Sequence, residues 1–184
     1  MTVKKRDLII AILRDEEMGR KMSHFLKFIQ THKPSDDFDA IIVSPIYGSS
    51  STIGRFTFVP MTETGQSFLT FAKYKELMRN YVNVWCVDYS MLQIKTTPNL
   101  SLLNYNDILF QYGKHVNEVD PAMYYGKSAT IIELLKFLYR RKNYNATELE
   151  LVQRWMKRNP SIVVENRCYI PKDFGTHFDS SCEF

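Results

Sequence analysis

Seven basic side chains are grouped late in this chain in a way that suits contact with a polyanion: Lys136, Arg140, Arg141, Arg154, Lys157, Arg158 and Arg167. Residues 127–172 hold ten Lys/Arg against four Glu, a local charge of +6, whereas the whole chain of 184 residues carries +4. Residues 1–126 are close to neutral, and the tail 173–184 carries −3 from Asp173, Asp179 and Glu183. The excess charge therefore belongs to one patch, and clustered Lys/Arg neutralise phosphates or carboxylates.

The elements that would hold this patch are two helices and a hairpin. The spacing of Ile131, Leu134, Leu135 and Leu138 predicts a helix over 128–142 with Ser128 as N-cap. A second is predicted over 146–159, capped by Asn145 and stopped by Pro160, with Leu149, Val152 and Met156 inside. On a helical wheel Glu150, Gln153, Arg154 and Lys157 stand roughly opposite those three, the arrangement of a helix entering a nucleic-acid groove. Ile162–Val164 and Cys168–Ile170 flank Glu165-Asn166-Arg167 and read as a hairpin. Helix, tight turn, helix, hairpin is the order at the end of a winged-helix domain, with Arg167 where a wing touches phosphate.

Other constellations are weaker. Asp36, Asp37, Asp39, Asp88 and Glu165 are the carboxylates a metal-dependent nuclease would need, but two-metal chemistry requires them to converge in space. Cys168, His177 and Cys182, with His115 as a fourth ligand, lack the spacing of a zinc finger or ribbon. Cys86 with His24 or His32 would make a nucleophile and base, yet Cys86 sits in an apolar run where an inert buried thiol is the commoner outcome. Gly126-Lys127-Ser128 has the ending of a phosphate-binding loop, but Pro121 stands where its first glycine is needed. The run Gly48–Gly54 reads as a polar hairpin tip. No catalytic residue, metal or cofactor is assigned.

The length fits one domain, or one plus a small appendage, with 45% hydrophobic and 24% charged residues as in an ordinary globular protein. Three cysteines, Cys86, Cys168 and Cys182, do not make a disulfide framework. The apolar run Leu8–Leu13 is too short for a signal peptide core and is followed by Arg14-Asp15-Glu16-Glu17. No run approaches the eighteen or so apolar residues of a membrane span. These features place the expected protein inside the cell and off the membrane.

Earlier in the chain, helices are predicted over 7–31 and 66–82 and strands over 39–46, 53–59 and 83–95, the first two joined as a hairpin. Residues 100–112 lean towards helix, and 113–127, with Gly113, Pro121 and Gly126, read as a connector. The resulting expectation is an α+β fold: a small mixed sheet covered by helices over 1–120, a basic helix-helix-hairpin subdomain of winged-helix type packed on it over 121–172, and an acidic tail over 173–184. The functional expectation is a non-enzymatic nucleic-acid-binding or regulatory protein using the basic patch. The alternatives are a protein-interaction or self-assembly module meeting an acidic partner, and a metal-dependent nuclease.

Overall fold

The structure, a computed structural model, describes residues 5–16, 20–33, 35–92, 107–112 and 118–166. The run Leu8–Leu13, every member of it fully buried, belongs to the central strand β1 (Lys5–Ile12) and the residue after it. This corrects the helix expected from residue 7. An unbroken apolar run suits a strand covered on both faces, whereas a surface helix would turn half of it to water. The alternation of β1 then sorts its side chains. Leu8, Ile10 and Ile12 enter one core, and Ile9 and Ala11 enter the other.

Chain reversal after β1 is made by helix α1 (Met22–His32), whose Phe25 and Ile29 are fully buried. Strand β2 (Phe38–Ser44) then returns parallel to β1. A short hairpin of β3 (Ser51–Ile53) and β4 (Phe56–Pro60) follows, turning at Gly54 with φ +59°, and β4 pairs parallel with β2. The hairpin expected between 39–46 and 53–59 is thus a parallel pairing, and the Ser/Thr run supplies an antiparallel edge strand. Two short helices, α2 (Ser67–Ala72) and α3 (Lys75–Met78), replace the single helix expected over 66–82. They lead into β5 (Tyr81–Asp88), which lies parallel to β1 on the side opposite β2.

The second half of the chain completes the same sheet. Strand β6 (Ile108–Tyr112) and strand β7 (Val119–Lys127) form where a helix and a connector were expected, and β7 runs antiparallel between β5 and β6. Pro121 lies in the irregularity where the β6 register jumps from Tyr124 to Asp120, so its missing N–H breaks no rung of the ladder. Gly126 lies where β7 presses on β6: a Cβ there would stand 2.4 Å from the Asp107 carbonyl oxygen. The expected boundary at 120/121 therefore falls inside a strand of the main sheet.

The helices expected over 128–142 and 146–159 form as α4 (Ser128–Tyr139) and α5 (Glu148–Arg158). The α5 cap is Thr147, in a reciprocal capping box with Glu150, not Asn145. Ser128 does not cap its own helix; its Oγ donates to the Met78 carbonyl at 2.5 Å and moors α4 to the end of α3. Strand β8 (Val163–Asn166) pairs parallel with β6 at the edge of the sheet. A winged-helix wing is an antiparallel hairpin, and this parallel edge strand corrects that expectation. Arg167 of the expected hairpin turn and the second arm after it lie outside the described residues, as do Cys168, His177, Cys182 and His115.

The eight strands run in the order β3-β4-β2-β1-β5-β7-β6-β8. Helix α1 covers one face, where Phe25, Phe28 and Ile29 meet Ile9, Trp85 and Val87. Helices α2 to α5 cover the other, where Phe68, Phe71, Ile131, Leu135, Leu151 and Trp155 meet Leu8, Ile10, Val84 and Cys86. The expected α+β architecture with a small sheet is corrected to a three-layer α/β fold with a large mixed sheet. Among the described residues no helix is long and apolar enough to cross a membrane.

A candidate active-site cleft at the carboxyl ends of the central strands

Chain order reverses between β1 and β5: from β1 the chain moves to β2 on one side and reaches β5 on the other. In open α/β sheets a ligand crevice opens outside the carboxyl ends of the strands at such a switch point. A cleft of about 500 Å³ lies there. Arg14, two residues beyond β1, lines it, together with Ser67 at the start of α2, Asp120 at the start of antiparallel β7, and Glu148 at the start of α5.

The cleft is wired by a buried polar relay. Asp88, the last residue of β5 and fully buried, receives the Arg14 Nε–H at 2.6 Å and the Ser67 hydroxyl at 2.8 Å on Oδ2. Its Oδ1 receives the Met91 N–H at 3.2 Å. The Arg14 backbone N–H donates to Ser90 Oγ at 2.8 Å, tying the loop after β1 to the loop after β5. Arg14 thus meets Asp88 through Nε while its side chain also lines the cleft. Among the described residues no group of three or more His, Cys, Asp or Glu is arranged to hold a metal ion.

Glu148 closes the far wall. Its Oε2 accepts the Ser67 N–H at 3.0 Å and its Oε1 the Phe68 N–H at 3.2 Å, so one carboxylate satisfies two donors at the start of α2. Burial pushes its pKa up to about 7; the two backbone donors pull down, the Asp88 charge pushes up, and Arg14 pulls down. A carboxyl group titrating near neutrality beside a ligand-sized cleft has the properties of a general base.

The structure separates the residues singled out from the sequence. Arg154 and Lys157 are exposed on α5, and Lys136, Arg140, Arg141 and Arg158 line a different cleft between α4 and α5. The nuclease carboxylates do not converge. Asp39, the second residue of β2, accepts the Tyr81 hydroxyl at 2.6 Å, Asp37 accepts the Arg6 N–H at 3.2 Å, and Asp36 pairs with Lys33, all at the sheet end opposite Asp88. Glu165 stands in edge strand β8. Cys86 lies in mid-β5, fully buried, and burial pushes its thiol up, which removes it as a nucleophile. Gly126-Lys127 belongs to a strand, with Lys127 paired to Asp107, and makes no phosphate loop. Sequence reasoning passed over Arg14, Ser67, Asp120 and Glu148. Their one legible signal was a charged residue directly after an apolar strand, as in Leu13-Arg14 and Val87-Asp88.

No protein-family model matches this sequence, and no curated protein matches it. Solved structures do. The 4-diphosphocytidyl-2C-methyl-D-erythritol synthase of Anaerococcus prevotii superposes with a TM-score of 0.56 at 14% identity, over 88% of this chain and 87% of that one. A glycosyltransferase involved in glycosylation of the major capsid of PBCV-1 gives 0.52 at 12% identity, over 87% and 80%. The 2-C-methyl-D-erythritol 4-phosphate cytidylyltransferase of Thermus thermophilus gives 0.51 at 12% identity, over 92% and 95%. The likeness is one of fold. It spans nearly the whole chain, so the part expected to be winged-helix is built into a sheet of nucleotidyltransferase and glycosyltransferase type. The expectation of a non-enzymatic nucleic-acid-binding or regulatory protein is corrected with it, because its geometric basis was that winged-helix end. The alternatives of a protein-interaction or self-assembly module and of a metal-dependent nuclease are corrected on the same finding, and so is the leaning towards a non-enzyme.

Proposed function

We propose that this chain is an enzyme that transfers a glycosyl group from a nucleoside diphosphate sugar to a hydroxyl acceptor in the cleft between β1, β5 and α5. The observation that carries the reading is Glu148, a partly exposed carboxyl group held at about 7 across the cleft from Arg14. An acceptor hydroxyl must lose a proton as it attacks, and a base with a pKa near the working pH is suited to take it. A phosphate acceptor, already anionic, needs no such base, which favours glycosyl over nucleotidyl transfer.

In the proposed step the acceptor oxygen forms a bond to the anomeric carbon of the sugar while its proton passes to Glu148. The bond from that carbon to the diphosphate oxygen breaks, and the electron pair leaves with the nucleoside diphosphate. Arg14, oriented by Asp88 through Nε, places its positive charge beside the negative charge that grows on this leaving group. Ser67 fixes Asp88, and so fixes the arginine indirectly. A nucleotide-sugar substrate is consistent with a protein that works inside the cell, as the sparse cysteines also indicate.

The test is calorimetric titration with a panel of nucleoside diphosphate sugars, with and without Mg²⁺ or Mn²⁺, followed by an assay for nucleoside diphosphate release. Saturable binding, with release that Glu148→Gln abolishes, is expected. Release of pyrophosphate from a nucleoside triphosphate instead would replace glycosyl by nucleotidyl transfer. Failure of every nucleotide to bind would overturn the assignment of the cleft.

A further inference from the structure

The second cleft, of about 600 Å³, lies between α4 and α5 and is lined by the end of α5, whereas the proposed active site is lined by its start. Glu148 and Arg158 mark opposite ends of α5, about 15 Å apart at 1.5 Å per residue. Four cations line this groove: Lys136, Arg140, Arg141 and Arg158. Its acidic lining residue, Glu133, is taken by Lys136, whose Nζ lies 2.7 Å from Oε1. That leaves three guanidinium groups with no carboxylate partner among the described residues. Arg141 donates through Nη1 to the Phe137 carbonyl at 3.0 Å, which uses one of its five N–H bonds.

The aromatic residues of the groove decide what kind of anion it suits. Arg141 lies over the Phe137 ring at 3.7 Å and Arg158 over the same ring at 5.4 Å. Trp155, which forms the floor, is only 4% exposed. Of the described aromatic residues lining the groove, Phe137 is thus covered by guanidinium groups and Trp155 is buried, whereas stacking on open rings supplies much of the affinity for single-stranded nucleic acid. Planar guanidinium forks seated on aromatic carbon remain; these pair bidentately with carboxylates and phosphates alike, and of the two a carboxylate-bearing peptide is the one that needs no stacking platform.

We infer that the α4–α5 groove is an accessory docking site for an acidic peptide segment of a partner protein, held by Arg140, Arg141 and Arg158. It keeps part of the basic patch as a binding surface but gives it a protein ligand and a place apart from catalysis. The inference does not depend on what the active-site cleft binds.

Fluorescence polarisation on the full chain tests it, with a labelled ten-residue peptide of alternating Glu and Ser, the same peptide with Gln for Glu, and oligo-dT and oligo-U of equal length at one salt concentration. Saturable binding of the Glu peptide alone is expected, weakened tenfold or more in Arg140→Gln/Arg158→Gln. Lys157→Gln, which removes a charge outside the groove, is expected to stay within twofold. Circular dichroism of each variant separates lost binding from lost folding, and Arg140→Lys/Arg158→Lys, which keeps the charge but not the forks, serves if the Gln pair unfolds; it too should weaken the peptide. No saturable peptide binding, equal loss in Lys157→Gln, or tighter binding of an oligonucleotide would each overturn the inference.

Discussion

Glu148 caps a helix that begins 81 residues before it: its carboxylate receives the backbone N–H of Ser67 at 3.0 Å and that of Phe68 at 3.2 Å. The first turn of α2 supplies no acidic or capping side chain of its own, so the start of one helix is completed by the start of another. The same contact brings Glu148 to the cleft, where burial raises its pKa to about 7. A structural cap and a proposed catalytic base are one group.

This dual role gives a pH signature. In the unfolded chain the Glu148 carboxyl returns to its ordinary value of 4.5, so between 4.5 and about 7 the folded protein binds more protons there than the unfolded one. The contribution of this group to stability is therefore full below pH 4.5 and is lost as pH rises through 7. Thermal melts from pH 4.5 to 8 should show a downward component that Glu148→Gln removes. Activity should run the other way, rising through pH 7 as the base deprotonates. A Glu148→Gln variant whose melting profile matches the parent's at every pH would contradict the shift.

Removing the cap altogether has a separate cost. Glu148→Ala leaves two N–H groups at the start of α2 without their acceptor and should destabilise by about 1–2 kcal/mol, the range for a lost helix cap. Thr147→Ala breaks the exposed capping box of α5 and should cost about 1 kcal/mol while leaving Glu148 and its two N–H donors in place. Denaturant melts of both, read with nucleotide titration, separate the two.

Arg14 and Asp88 should fail together. Arg14→Ala strips a charged donor from a carboxylate that is fully buried, a loss of about 1.5–3 kcal/mol for a hydrogen bond to a charged group. Asp88→Asn keeps the size but weakens the hold on Arg14. A double-mutant cycle scored by melting and by nucleotide affinity should give a combined effect smaller than the sum of the two. Strict additivity would mean that Asp88 does not orient Arg14.

Gly126→Ala tests the close approach of β7 to β6. The added methyl would meet the Asp107 carbonyl oxygen at 2.4 Å and the Ile108 Cα at 2.9 Å, backbone atoms just before and at the start of β6. The strands must part locally, and about 1–3 kcal/mol of stability should be lost, the usual cost of overpacking. Urea denaturation measures it; a neutral substitution would mean that β6 yields freely.

Local pattern was readable where one chain segment carried the whole signal. The apolar spacing of α4 and the strand of β5 were legible; in α5 the helix was legible but its inner face was not, because Leu151, Val152 and Trp155 are buried while Leu149 and Met156 are only partly so. Period alone could not tell that Leu8–Leu13 is a strand, because a run buried on both sides has no period to read. Residues 119–127 looked like a connector because Pro121 and Gly126 are breakers in isolation. Only the bulge opposite one and the close strand beside the other make them acceptable in a sheet. The order of residues is enough to settle how much apolar side chain must be buried and where along the chain positive charge gathers. Which charges meet is a matter of tertiary structure. Arg14 and Asp88 are 74 residues apart, and Ser67 and Glu148 are 81 apart. Each pair is joined because parallel strands and crossover helices bring their ends to one edge of the sheet, and sheet order is set by packing between distant segments rather than by any local preference.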